Sequence, residues 1–120
     1  MRTTLLAATA GAAVLLTTAA AAAPAHMGPG CAAGQLCLWP KGGYEGPRET
    51  HELSDTDIES CVPLPDGRPA RSFVNRTGRP VTTFQSAECA ETGEFDTYPG
   101  GGTYVPDSPY AVRAFRIAER

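Results

Sequence analysis

The feature that most constrains this chain is its punctuation. Eleven prolines and thirteen glycines, nearly all beyond residue 25, cut the sequence into short runs and leave no window with helical periodicity. The surviving runs are rich in β-branched and aromatic residues and end at Gly, Pro, Asn or Asp, which is how strands read. They are LCLW (36–39), SFVNR (72–76), VTTF (81–84), TYV (103–105) and VRAFRI (112–117). One further segment, LSDTDIES (53–60), reads as a helical turn capped by Ser54. Turn signals every eight to twelve residues or so predict an all-β sandwich or barrel.

The first 25 residues stand apart from that pattern. Arg2 supplies a positive charge, Leu5 to Ala23 carries none, and Ala23-Pro24-Ala25 closes the stretch with small residues. A basic start, an apolar middle and a small-residue exit are the layout of a secretory signal peptide, with cleavage after Ala23 or Ala25. The stretch is long enough for a membrane anchor to be the rival. Its Ala, Thr and Gly content is weakly apolar, however, and no basic stop-transfer cluster follows. The expectation is a signal peptide at 1–25, a secreted domain at 26–120, and no membrane association after cleavage.

A domain of this size buries a modest fraction of its surface and gains from covalent staples. All four cysteines, Cys31, Cys37, Cys61 and Cys89, lie in the mature part. In an exported chain they read as two disulfides, for which three pairings are possible. The default is a tight Cys31–Cys37 staple with Cys61–Cys89, contributing about 2.4 and 3.6 kcal/mol in the chain-entropy account. A zinc site competes poorly, because no Cys-x-x-Cys occurs and the histidines are only His26 and His51.

Removing Arg2 leaves nine basic residues against thirteen acidic, a balance that disfavours nucleic acid as a partner. Glu45 to Glu59 carries six acids and one arginine, whereas Arg68, Arg71, Arg76 and Arg79 follow with Asp66 as the nearby acid. These read as solvated faces of opposite sign on a monomer.

An internal repeat divides the mature chain. PDGRPARSFV (65–74) and PDSPYAVRAFRI (106–117) share Pro-Asp, a spacer, then Arg, a small residue and Phe. LCLW and VTTF both alternate and both end in an aromatic. Two units of about 45 residues predict two similar four-stranded motifs that bury their apolar faces against each other.

In LCLWPKGGYEG (36–46), alternation puts Leu36 and Leu38 on one face and Cys37 and Trp39 on the other. Pro40, Gly42 and Gly43 turn the chain, and Gly46 takes a backbone conformation closed to residues with a Cβ. The rings of Trp39 and Tyr44 then meet. Aromatic, four residues, aromatic, one residue, glycine resembles the Greek-key signature of the βγ-crystallins, with Trp39, Tyr44 and Gly46 in register. CAAGQLC (31–37), the aromatic hairpin and ARSFVNRTGRPVT (70–82) follow in the order seen in secreted bacterial peptidase inhibitors of that fold, the group of the Streptomyces metalloproteinase inhibitor. The resemblance implies a βγ-crystallin-like Greek-key sandwich and a non-enzymatic inhibitor of extracellular proteases. It also implies that inhibition works through the loop after Cys89, with Cys89–Ala90 where the protease engages.

Two departures temper what is carried over. Calcium-binding members have two Asn or Asp, two residues, then Ser or Thr and Ser, whereas the windows here read GRPARS (67–72) and PYAVRA (109–114). Only Ser72 survives, so neither calcium nor any other metal or cofactor is expected. The cysteine that closes the inhibitory loop in the relative is replaced by AETGEF (90–95), and Gly93 leaves that side of the loop freer.

No catalytic set emerges. His51-Glu52-Leu53 begins like a zinc-protease motif, but Asp55 stands where the second histidine belongs, so His51 reads as a surface residue. Asp55, Asp57 and Glu59 lack the cleft that hydrolysis by paired carboxylates requires. Asn75-Arg76-Thr77 has the form of a glycosylation sequon. Tyr98, Tyr104 and Tyr110 fill the second motif's hairpin and core. The alternative is that they form a glycan-stacking platform, making the chain an extracellular structural or cell-wall-binding module.

Overall fold

The computed structural model describes residues 29–120, and the expected signal peptide at 1–25 lies outside them, as does His26. Eight strands form two four-stranded antiparallel sheets. They are β1 (Gln35–Trp39), β2 (Glu49–Glu52), β3 (Val62–Pro63), β4 (Ser72–Asn75), β5 (Val81–Phe84), β6 (Phe95–Tyr98), β7 (Thr103–Val105) and β8 (Ala114–Ile117). One sheet runs β2-β1-β4-β7 and the other β3-β8-β5-β6.

That order refines the expected two-motif sandwich. Strands β1–β4 are the first motif and β5–β8 the second, yet each motif gives its third strand to the other's sheet. Neither sheet is complete without both halves, so the halves cannot separate without leaving backbone groups unpaired. The repeat marks the join. Ala70 and Val112, equivalent positions of the two units, exchange N–H···O bonds of 2.8 and 2.9 Å. The next residues, Arg71 and Arg113, donate their N–H groups to Trp39 O and Phe84 O, each at 2.8 Å. Trp39 and Phe84 are the aromatics that end β1 and β5, so the two repeat signals are joined by hydrogen bonds.

The alternation in β1 divides two apolar clusters. Leu36 and Leu38 face the space between the sheets, with Phe73, Val81, Val112, Phe115 and Ile117. Cys37 and Trp39 face outward into a smaller cluster with Cys31 and Val74, closed at its rim by Tyr44. Both faces of β1 are therefore apolar and covered.

Beyond the five strand runs legible in the sequence, the fold has β2, β3 and β6. The segment at 53–60 makes a short 3₁₀ turn at Leu53–Asp55, whose capping residue is Glu52 and not Ser54. Thr56 closes it, its Oγ1 donating to Glu52 O at 2.7 Å. His51 is half-buried rather than on the surface, because it sits on the inward side of β2, edge-on to Phe115 with ring centroids 4.8 Å apart. Its Nε2 lies 2.5 Å from a Glu49 carboxylate oxygen.

Candidate functional site

Trp39, Tyr44 and Gly46 form a closed clasp. The rings of Trp39 and Tyr44 meet edge to face at 5.2 Å and 73°. Tyr44 takes a left-handed backbone (φ 62°), unusual for a residue with a side chain. It is held there by its N–H, which donates to Ser72 Oγ at 2.9 Å. Ser72 Oγ in turn donates to Lys41 O at 2.6 Å, so the one residue left of the calcium pattern has its hydroxyl engaged in the hairpin. Gly46 has φ 99°, and a Cβ there would lie 2.6 Å from Pro40 Cγ. The clasp is architecture.

The second motif repeats this backbone with different chemistry. Five residues after Trp39 stands Tyr44, and five after Phe84 stands Cys89, also left-handed at φ 59°. A tyrosine ring closes the first hairpin, while a disulfide closes the second. The bridges are Cys61–Cys89, with Cα atoms 5.9 Å apart, and Cys31–Cys37, at 6.1 Å. The equivalence of Tyr44 and Cys89 is readable in the five-residue spacing once Trp39 and Phe84 are aligned.

The Cys89–Glu94 loop is held at both ends. Cys89 is half-buried and tied to Cys61, and its N–H donates to Ser86 O at 3.2 Å. At the far end Gln85 N–H donates to Glu94 O at 2.9 Å, and Glu94 N–H donates to Gln85 Oε1 at 3.3 Å. Gln85 thus clamps the side where the closing cysteine is missing, and the freedom expected from Gly93 is curbed. Ala90 is half-buried, while Glu91, Thr92 and Glu94 are exposed.

The other sequence candidates do not converge. Tyr98 packs edge-on against Phe73 at 5.0 Å, and Tyr110 is buried with its hydroxyl 2.9 Å from Thr83 Oγ1. Burial pushes the Tyr110 phenol up to about 12, and the Tyr98 and Tyr44 phenols are raised for the same reason. Of the three late tyrosines only Tyr104 is exposed, too few for a platform. Asn75 is fully buried, its Nδ2 donating to Arg79 O at 2.9 Å and Pro99 O at 3.1 Å. The folded chain therefore withholds the sequon asparagine from modification. Among the described residues no three His, Cys, Asp or Glu side chains gather as metal ligands do. A half-open groove of about 260 Å³ beside Trp39 has Arg48, Arg68 and Glu49 as its charged lining. Glu49 is engaged by His51, which does not itself line the groove.

Comparison with known proteins agrees with this geometry. No curated protein matches the sequence. Among solved structures, the chain is similar to a βγ-crystallin domain of Abundant Perithecial Protein from Neurospora crassa, in its Ca2+-bound form. The TM-score is 0.57 at 18% identity, over 75% of this chain and 93% of that one. At that identity the likeness establishes the fold, a βγ-crystallin-like sandwich of two Greek-key motifs. The family model for peptidase inhibitor family I36 matches residues 23–97, a span that holds Trp39, Tyr44, Gly46, all four cysteines and the Cys89–Glu94 loop. Clasp and staples thus fall within one match, and the chain belongs to peptidase inhibitor family I36.

Proposed function

We propose that the mature chain is a secreted, non-enzymatic inhibitor of extracellular proteases, acting through the loop that Cys89 anchors and Ala90 begins. Family membership supports a peptidase-inhibitor role and points away from catalysis, and the two disulfides are consistent with an extracellular location. The observation that carries the choice of loop is its double anchorage, by Cys61–Cys89 at one end and by Gln85 at the other. A rigid exposed loop loses little conformational entropy on binding, which is the physical advantage an inhibitor needs over a substrate. Ala90 to Glu94 is then the segment a protease meets, and Cys89 is its fixed end. No cofactor or metal takes part in this reading, and the inhibitor acts as a monomer.

The test is titration of residues 26–120 against a panel of secreted metallo- and serine proteases. The expected result is near-stoichiometric loss of activity for at least one enzyme. Absence of inhibition throughout the panel at micromolar protein overturns the proposal.

A further inference from the structure

Proteases take substrates in extended conformation, commonly as a strand added to an edge of their own. Cys89 is not itself extended, since its backbone is left-handed. The nearest extended segment is β6, directly after the loop and at the edge of its sheet. In antiparallel pairing, residues alternate between exchanging hydrogen bonds with the neighbouring strand and pointing those groups away. Gln85 and Glu94 are a bonded pair, so Asp96 and Tyr98 turn their backbone groups toward β5. Phe95 and Thr97 therefore turn theirs outward, where no strand lies beyond.

Side chains distinguish this edge further. Phe95 is one of two large apolar residues exposed among those described, at 41%. Its ring stacks on the buried Phe84 at 5.9 Å and 21°, so it is held in place while its other face meets water. From Ser86 to Thr97 the chain carries Glu88, Glu91, Glu94 and Asp96, all exposed, and no lysine or arginine. The adjoining cations are Arg113 on Gln85 O and Arg116 over the Phe84 ring, so the edge stays acidic on balance. A second copy pairing here would bring two such acidic edges together, which is unfavourable. The charge selects a partner whose own strand edge is basic.

We propose that the β6 edge is the pairing surface of the inhibitor: the backbone groups of Phe95 and Thr97 join the substrate-binding strand of a basic-rimmed secreted protease, and the Phe95 ring fills a side-chain pocket. This rests on the inhibitory reading above and adds where the extended contact lies. The occupant is an extended strand of opposite charge, and specificity resides in an apolar pocket beside it.

Two variants test it. Phe95→Ala removes the anchor. Thr97→Pro removes an outward N–H that no neighbouring strand uses, a position where an edge strand tolerates proline. Each is expected to weaken inhibition at least about tenfold, or about 1.4 kcal/mol. Inhibition is measured at a temperature where both variants are fully folded, since Phe95→Ala also uncovers Phe84 and Thr97→Pro also loses the Thr82 hydroxyl contact. In a parallel titration, 15N-labelled protein meets a heptapeptide of alternating valine and lysine, with amide shifts expected at Phe95 and Thr97. If the parent inhibits and both variants inhibit equally well, the edge is overturned and the inhibitory reading survives. If the parent inhibits nothing, that reading fails and the peptide decides the edge by itself. Shifts confined to β6 sustain strand pairing there, and their absence overturns it.

Discussion

The clasp makes a quantitative prediction at Gly46. Replacing it by alanine forces an L-residue to φ 99° and places a Cβ 2.6 Å from Pro40 Cγ and 3.1 Å from Pro40 Cδ. The backbone term costs about 1–2 kcal/mol. The proline ring is closed on its own backbone nitrogen and can yield only by a change of pucker, so the overlap adds about 1–3 kcal/mol. The total is about 2–5 kcal/mol, and in a domain this small each kcal/mol moves the thermal midpoint by about 4–8 °C. Gly43→Ala is the control: it shares a left-handed backbone, φ 69°, but its Cβ would meet no atom within 4 Å. It should show the backbone term alone. Trp39 is the sole tryptophan, so its fluorescence during thermal unfolding reports on the clasp itself. Gly46→Ala is expected to melt at least about 8 °C below the parent and clearly below Gly43→Ala. If the two variants melt together, the Pro40 contact carries no weight; a Gly46→Ala protein as stable as the parent refutes the clasp.

Two further predictions concern buried polar groups. Asn75→Ala strips Arg79 O and Pro99 O of a donor and Thr77 N–H and Oγ1 of an acceptor. It should cost about 3 kcal/mol in denaturant unfolding, and a loss below about 0.5 kcal/mol would show that water replaces the amide. Tyr110, raised from 10.0 to about 12 chiefly by burial, binds its proton more tightly folded than unfolded. Stability should fall as pH rises through that window, by an amount on the order of 2–3 kcal/mol at most from this residue. Tyr110→Phe should flatten the alkaline decline, and an unchanged pH profile would remove Tyr110 as its source.

What the sequence disclosed largely follows the position of each strand in its sheet, with β7 the exception, an edge strand whose Thr-Tyr-Val run is β-prone enough to read by itself. Strands β1, β4, β5 and β8 lie inside their sheets and read as apolar or alternating runs, because both neighbours and the core constrain them. The three strands not legible beforehand, β2, β3 and β6, are all edges. Glu49–Glu52 is polar because it faces water on one side, Val62–Pro63 carries a proline that an interior strand excludes, and Phe95–Tyr98 alternates too briefly to stand out. Trp39, Tyr44 and Gly46 were legible because their spacing is local. The Gln85 clamp on Glu94 was not, since it depends on register across a hairpin, and neither was the burial of His51 under Phe115.

The candidate site lies where the pseudo-symmetry of the two motifs breaks. In the first motif Tyr44 and the Cys31–Cys37 bridge cover Trp39, and the apolar cluster is closed. In the second, the residue equivalent to Tyr44 is Cys89, which brings a disulfide instead of a ring. Phe84, the counterpart of Trp39, then takes its stacking partner from the edge strand, and Phe95 keeps one face in water. A ring that satisfied stability alone would be better placed on the loop, as Tyr44 is, with a polar residue left on the edge. The exchange stiffens the loop and exposes an aromatic beside it in one step.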